Sequence, residues 1–588
     1  MRLFFTQLFV SEQKQIAMLA DEKTPTRISH RLFATSCSEM RIIMSNIIKR
    51  TKGDLKYLFK DSDKLSPKAL KRKQRGKRVA AGLVLVLIQL ILTILFLFRI
   101  ITFSILPVQY LLIVNAILIL LLLYDFCSQF TKAHILGKIL AVIMSCVMLF
   151  GFIFMTQLAQ TFNLMSGSTK TDIVDIIVLA DDKADSVQDA LSYSFGYNSG
   201  INSEAATKAI SEIESKNNTT LNTKDYTDWS EMVNALYANK NIQAVVMSDS
   251  LRSTLTEEFE TFEDKTKVIG TITITTQVKL SASDKKVNEE PFVIYLSGND
   301  GYGPVSSNGR SDVNILACIN PKTRQVLLVS TPRDYYITIE NASGKSGLDK
   351  LTHAGNAGVD YSIKALENLY GVTVDYYVKI NFTGCVKVVD ALGGITINSS
   401  VDFTNGQDAA PESYHFTVGE NQCDGEKTLA FVRERHVFGD GDFQRGRNQA
   451  AAITAIIDKA TSPSILANYS AVLSSVSNMI LTNMPPATMT SLIKGQIANT
   501  TSWNVQSYSV EGTPASRDCT VYNLSKKSVD LPDYDTVNTA VELIQKINNG
   551  EVFDVSEYVS SNESDLCKKT AGAGYVYKIH CLPGSFFV

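Results

Sequence analysis

Residues 429–449, LAFVRERHVFGDGDFQRGRNQ, concentrate three arginines, Arg433, Arg435 and Arg445, with Gln449. Read as a strand, the first half places Leu429, Phe431, Arg433 and Arg435 on one face, because strand side chains alternate. Gly439 and Gly441 then turn the chain, Asp442 is a candidate N-cap, and a helix follows. On that helix Asp442, Arg445 and Gln449 lie at i, i+3 and i+7, in a stripe that continues into Ile453 and Ile456. The polar residues therefore head the inward-facing side. Guanidinium forks match phosphate oxygens. Two readings compete: a phosphate site at a buried edge, and an internal network in which Glu434, Asp440 and Asp442 pair with the arginines.

A second group lies upstream. Residues 292–298 (FVIYLSG) read as an apolar strand ending at Asn299 and Asp300. After a flexible tip at 306–309, Arg310, Ser311 and Asp312 open a second strand, 313–319. NPKT at 320–323 is a turn signal. A third strand, 325–330, returns and ends in Thr331, Pro332 and Arg333. If Ile319 faces Gln325 in this hairpin, Asp312 lies near Pro332 and beside Arg333. Two carboxylates at one sheet end, Asp300 and Asp312, suit Mg²⁺, which takes a few oxygens plus phosphate and water. In the alternative, each pairs with Arg310 or Arg333. With Arg433, Arg435, Arg445 and Gln449 added, the set has excess positive charge around a metal, which suits a pyrophosphate. No Ser-His-Asp set or activated cysteine competes. His353 and His436 stand alone and read as structural rather than as bases.

These groups need elements to hold them. From 290 to 550, helices (357–370, 383–392, 442–459, 486–496, 537–548) alternate with strands (374–382, 395–399, 503–510), the pattern of a layered α-β-α domain. Residues 466–480 also read as helical. Residues 165–280 read as a smaller α/β module, with strands at 172–180 and 242–247 and helices at 186–195, 206–216, 229–238 and 251–260. An alternating strand, 267–279, leads onward. No phosphate loop or catalytic set appears there, so the module reads as an accessory domain. The tail, 551–588, has no assigned role.

The net charge of -2 over 588 residues hides an uneven distribution. Three apolar runs, 79–98, 104–124 and 137–155, have lengths that fit bilayer spans of about 20 residues. A basic stretch, KALKRKQRGKR at 68–78, precedes the first run, and Lys132, His134 and Lys138 separate the second and third. The positive-inside rule then puts residues 1–78 in the cytoplasm and everything after the third span outside. Residues 44–78 are expected to be flexible, and Met40 or Met44 is a plausible natural start. The basic stretch is explained by the membrane, so nucleic acid is not an expected partner. The nine cysteines show no metal spacing. Cys318 and Cys385 read as buried thiols, and Cys567 and Cys581 as a pair that sequence leaves undecided.

Taken together, SGNDGYG…GRSD, STPRDYY, KLTHAGNAGV, FTGCVKVVDALGGI and FVRERH…GDFQRGRNQ resemble the LytR-CpsA-Psr (LCP) family over 292–457. The anchor and the preceding module resemble capsule-associated streptococcal members. The resemblance implies a cell-membrane phosphotransferase that moves a capsular or other anionic glycopolymer from an undecaprenyl-pyrophosphate carrier to peptidoglycan. It implies Mg²⁺, or alternatively Mn²⁺, at Asp300 and Asp312. Pyrophosphate contacts are implied for Arg310, Arg333, Arg433, Arg435, Arg445 and Gln449, with Arg333, Asp312, Arg433 and Arg435 closest to the chemistry. A long apolar cavity for the polyprenyl tail is also implied. Three spans, rather than one, and the cysteine-bearing tail depart from the pattern. A polyprenyl-pyrophosphate hydrolase and an envelope-sensing transcriptional attenuator are the alternative functions.

Overall fold

A computed structural model describes residues 49–165, 169–199, 203–277, 283–300, 305, 308–462, 465, 472 and 479–558. The candidate starts Met40 and Met44, Cys567 and Cys581, residues 306 and 307 of the tip at 306–309, most of 466–480 and the tail beyond 558 lie outside the described residues.

Three helices are long and apolar enough to cross a membrane: α1 Pro67–Phe103, α2 Val108–Ser128 and α3 His134–Met165. The basic stretch before the first span is helical rather than flexible. Pro67 stands at the helix start, where its missing N–H costs nothing, and Lys, Arg, Gln and Ala are good helix formers. Arg75 also grips the buried Asp54 with both Nε and Nη2, which ties this turn to the preceding segment. Between spans, Gln129 and Ser128 occupy the space that side chains at Gly82 and Gly137 would fill.

The accessory module is a five-stranded sheet of order β3-β2-β4-β1-β5. Its strands are β1 Thr169–Leu179, β2 Ser194–Asn198, β3 Asn222–Tyr226, β4 Ala244–Ser248 and β5 Thr266–Gln277. Strand β5 does not simply lead onward. It pairs with β1 along its whole length and belongs to this sheet. The helix expected at 186–195 is a series of turns followed by β2. Asp189 explains this, because its side chain accepts from the backbone N–H of Asp185 and Ser186 and from the Ser186 hydroxyl. Such local bonds compete with the helix ladder. Helices α4 Ser203–Asn217, α5 Trp229–Ala238 and α6 Arg252–Glu258 fall where apolar periodicity puts them.

The second sheet has six strands in the order β16-β11-β6-β7-β8-β17, its edge strand β16 being Ile480–Thr482. Central are β6 Phe292–Asn299, β7 Val313–Asn320 and β8 Gln325–Ser330. They are buried on both faces, so both alternating sets of side chains are apolar. On one face, Val293, Tyr295, Leu316, Cys318, Leu327 and Val329 join a core shared with α5 and α6 of the accessory module. Across this contact the Trp229 indole N–H donates to the Tyr522 carbonyl at 3.3 Å. Strand β11 Tyr376–Asn381 and strand β17 Asn504–Ser509 pair in parallel with β6 and β8. The β7–β8 hairpin pairs Asn320, not Ile319, with Gln325. The Asn side chain, whose oxygen accepts from the Lys322 and Thr323 N–H groups, closes the turn one residue later than expected.

Three features stand apart from expectation. The strand at 395–399 is not in the main sheet. It is β12 Ile395–Ser399 and pairs with β15 Gly419–Cys423 in a separate ribbon. A hairpin of β18 Gly512–Cys519 and β19 Leu524–Pro532 has no alternating apolar signal to announce it. Most importantly, 425–433 is a helix.

Candidate functional site

The expected strand at 429–435 is the end of helix α10 Gly425–Arg433, which the Asp424 side chain caps by accepting from the Lys427 N–H. The apparent alternation spans only four positions, too few to separate strand from helix, and Glu426, Lys427, Leu429 and Ala430 all favour helix. Leu429, Phe431, Arg433 and Arg435 therefore do not share one face. Arg433 is the last helical residue. Its guanidinium donates to the Ala409 carbonyl at 2.8 Å and lies over the Phe382 ring at 4.5 Å. Glu434 is almost wholly buried, and its carboxylate accepts from the backbone N–H groups of Arg435, His436 and Val437. It thus pins the turn that carries Arg435 and, among the described residues, pairs with no arginine.

Helix α11 Asp442–Thr461 follows, with Gly441 at φ 51° in the N-cap position. Asp442 does not cap it. Its carboxylate instead forms an ion pair with Arg445, one turn along. Asp440 pairs with Arg447. The internal network is therefore real for Asp440 and Asp442. Arg445 Nη2 and Asp442 Oδ1, both buried, are each other's ion-pair partners. Arg445 and Gln449 are both buried, as their stripe demands.

Arg310 and Asp312 are set by a buried polar lattice. The Tyr295 hydroxyl bonds to Ser311 Oγ (3.0 Å) and Asn314 Oδ1 (2.6 Å), and Ser297 Oγ lies 2.8 Å from Ser311 Oγ. The Asp312 N–H donates to the Gly298 carbonyl at 2.7 Å, which continues the β6–β7 ladder. Helix α7 Leu351–Ala357 seals this segment: the Gly309 N–H donates to the Gly355 carbonyl at 2.9 Å. A Cβ on Gly355 would sit 2.4 Å from the Gly309 carbonyl oxygen, so only glycine permits the approach. The same helix holds the next loop, since the Thr352 N–H donates to the Arg333 carbonyl.

The two groups meet in one small cleft lined by Asp312, Arg333, Asp442, Arg445 and Gln449, together with Ser330, Thr331 and Ser509. Arg333 Nη1 donates to Asp312 Oδ1 at 2.8 Å. Arg310 Nη2 stands 3.6 Å from Asp300 Oδ2. Burial alone would raise the Asp312 carboxyl, but the guanidiniums of Arg333, Arg445 and Arg310 hold it below the usual carboxylate range. Asp300 moves the other way, pushed up by lost hydration and by the neighbouring Asp312 charge. Burial raises Asp442 too. Arg435 is lowered by burial and by the positive charge of Arg333 and Arg445. Three guanidiniums thus crowd one another here, whereas Arg433 faces Phe382 and Ala409.

His436 is exposed and lies beside Arg435. His353 is fully buried, 2.7 Å from Asp349, in a cluster with Cys519. Asp349 there already accepts backbone N–H groups from Lys350, Val521 and Tyr522, which is structural work. Sequence reading missed Asp334 and Lys350, which pair at 3.3 Å behind Arg333. Asp334 stood next to Arg333 in plain view, but Lys350 is brought in only by the β9–β10 ribbon (Tyr336–Glu340 with Ser346–Lys350).

Residues 245–536 match the family described as LytR_cpsA_psr family. The chain is 35% identical over 199 residues to a polyisoprenyl-teichoic acid–peptidoglycan teichoic acid transferase, TagU, of Enterococcus faecalis, covering 34% of this chain and 63% of that one. It is 35% identical over 211 residues to the Bacillus cereus protein of the same name, covering 36% and 64%. The match thus spans a little under two thirds of these relatives. Among solved structures, that of Bacillus subtilis TagV is similar at 25% identity and a TM-score of 0.38, covering 44% of this chain and 98% of that one.

Proposed function

With residues 245–536 forming a LytR-CpsA-Psr domain, we propose that the chain is a membrane-anchored phosphotransferase that links an anionic glycopolymer to peptidoglycan. The observation that carries this reading is the crowding of Arg435 against Arg333 and Arg445, two arginines that line one cleft. Like charges gathered in a half-buried site call for an anion, and several forks around one cleft suit the many oxygens of a pyrophosphate. The donor is a polyprenyl pyrophosphate, undecaprenyl in bacteria that use it, bearing a capsular, teichoic or related polymer. The relatives' names give teichoic acid as the polymer they transfer.

In the reaction, a sugar hydroxyl of peptidoglycan attacks the phosphorus nearest the polymer. The bond from that phosphorus to the bridging oxygen breaks, polyprenyl phosphate leaves with the bridging electrons, and the hydroxyl proton is lost. Arg333, Arg435 and Arg445 hold the phosphate oxygens, and their charge meets the negative charge that grows on the leaving group. Gln449 adds a neutral donor on the same helix face. Arg310, 3.6 Å from Asp300, and Arg433, at the end of α10, are assigned as further pyrophosphate contacts.

Asp300 and Asp312 fit Mg²⁺, with Mn²⁺ an alternative. Both are hard oxygen donors, they repel each other, and the adjacent Asn299 Oδ1 is buried without a partner among the described residues. When bound, the ion supplies charge neutralisation at the phosphate oxygens. The basic start of α1 and the basic α2–α3 loop support a topology with residues before α1 in the cytoplasm and residues after α3 outside, where peptidoglycan is.

The test uses the full chain in lipid nanodiscs with Mg²⁺, a lipid-pyrophosphate-linked oligosaccharide and peptidoglycan fragments, read by mass spectrometry. A phosphodiester-joined conjugate supports the proposal. Sugar phosphate released without conjugate identifies a hydrolase, and tight lipid binding without turnover identifies a carrier or sensor.

A further inference from the structure

Asp530 lies far from the arginine-rich segments in sequence, on β19 of the hairpin that sequence reading missed. It is 9% exposed. Its N–H donates to the Asp334 carbonyl at 2.8 Å, and Asp530 also bridges to Tyr335. The hairpin is therefore stitched to the loop that presents Arg333. The packing is close: a Cβ on Gly512 would meet the Tyr335 ring at 3.2 Å and Asp530 Cβ at 3.3 Å.

Side-chain charges follow the same route. Asp334 Oδ1 is 3.3 Å from Lys350 Nζ, and Asp334 Oδ2 is 3.7 Å from Arg333 Nε. That second distance exceeds a hydrogen bond. Arg333 Nε is buried and lacks a hydrogen bond among the described residues. Arg333 is thus clamped at Nη1 by Asp312 and held only loosely at Nε. How firmly Asp334 holds the Nε side depends on how strongly Lys350 draws Asp334 away. Lys350 lies within electrostatic reach of Asp530 as well.

We propose that Asp530 is a positioning residue for phosphoryl transfer: its carboxylate competes with Asp334 for Lys350, which leaves Asp334 able to orient the Arg333 guanidinium. This inference rests on the function proposed above. A charged Asp530 divides Lys350 between two carboxylates. A neutral Asp530 no longer draws on Lys350, which then holds Asp334 more strongly, and the Nε side of Arg333 loosens. The groups facing Asp530 are Asp334 and Arg333 from the loop after β8, Lys350 from β10 and Asp442 from α11. Burial, with the charges of Asp334 and Asp442, pushes Asp530 up to about 6, so it changes charge within a measurable range.

The test compares the full-length wild type and Asp530→Asn in nanodiscs, measuring kcat and KM from pH 5 to 8. Thermal melts and the affinity for a polyprenyl pyrophosphate are read beside them. The expected result is a kcat about tenfold lower in Asp530→Asn, as for a small misplacement of a reacting group. KM and lipid affinity stay near wild type, and a fall in wild-type kcat below about pH 6 is absent from the variant. Asp530→Glu restores much of the loss. Wild-type kcat and profile in Asp530→Asn overturn the inference, as does a loss that merely tracks a lower melting temperature. Should Asp530→Asn not fold, the wild-type profile decides: no change near pH 6 overturns the inference. A wild type that binds the lipid but forms no conjugate overturns the proposed function, and this inference with it.

Discussion

Arg333 reaches Asp312 across the open end of the β7–β8 hairpin, guanidinium Nη1 to carboxylate Oδ1 at 2.8 Å. The pairing Asn320 to Gln325 sets this contact, since the Thr331 N–H then meets the Asn314 carbonyl, and Asp312 falls opposite Arg333. A one-residue change of register would turn both side chains to the wrong faces.

Arg333→Ala is expected to lower transfer by about 10³-fold or more, in the range for an arginine that meets transition-state charge. Arg333→Lys recovers only a small part, because an ammonium lacks the planar fork. The fold survives, since the hydrophobic sheet core does not depend on Arg333. Circular dichroism and conjugate yield, measured on the same preparation, check both halves.

Removal of divalent ions by EDTA is expected to stop transfer, and Mg²⁺ to restore it. Asp300→Asn raises the Mg²⁺ concentration needed for half-maximal rate, because one oxygen anion is lost from the pair. Titrating rate against Mg²⁺ for wild type and variant makes the comparison. An unchanged requirement contradicts the assignment of Asp300.

Arg433 and Arg435 are expected to separate. Arg435→Ala weakens pyrophosphate binding and transfer strongly, since Arg435 stands beside Arg333 and Arg445. Arg433→Ala loses a cation–π contact and a carbonyl hydrogen bond, a cost of about 1–3 kcal/mol in stability. Its effect on transfer is the smaller of the two. Parallel melts and kinetics decide the order.

Asp530→Asn is expected to stabilise the protein at neutral pH while slowing it. The folded state raises Asp530 to about 6 from an ordinary value near 3.9. A raised carboxyl contributes stability below about pH 4 and loses that contribution as pH rises through 6. Replacing it with a neutral amide therefore gains up to about 2–3 kcal/mol at pH 7.5 and little at pH 4. Melting temperatures at the two pH values check the sign. Equal shifts at both would contradict it.

How much of this was legible in advance varies with the range of the interaction. Strands 292–298 and 325–330 read true because both faces are apolar and turn residues bound them. The stripe of Arg445 and Gln449 read true because helical spacing alone decides which side they share. Residues 429–435 misled because a four-residue alternation also fits a helix end. The hairpin at 512–532 escaped notice because its strands are largely exposed and polar, so burial leaves no period in the sequence.

The sequence by itself determined the three apolar spans, the α/β layering, and the arginines, aspartates and glutamine of the cleft, because local spacing and composition act over a few residues. Only the tertiary structure decided which arginines converge. Arg433 and Arg435 are two residues apart, yet the helix ends between them and Glu434 pins the turn, so one faces Phe382 and the other feels the charges of Arg333 and Arg445. Only packing brings Lys350 and Asp530 behind Arg333, because charges meet through space, and no spacing along the chain records that meeting.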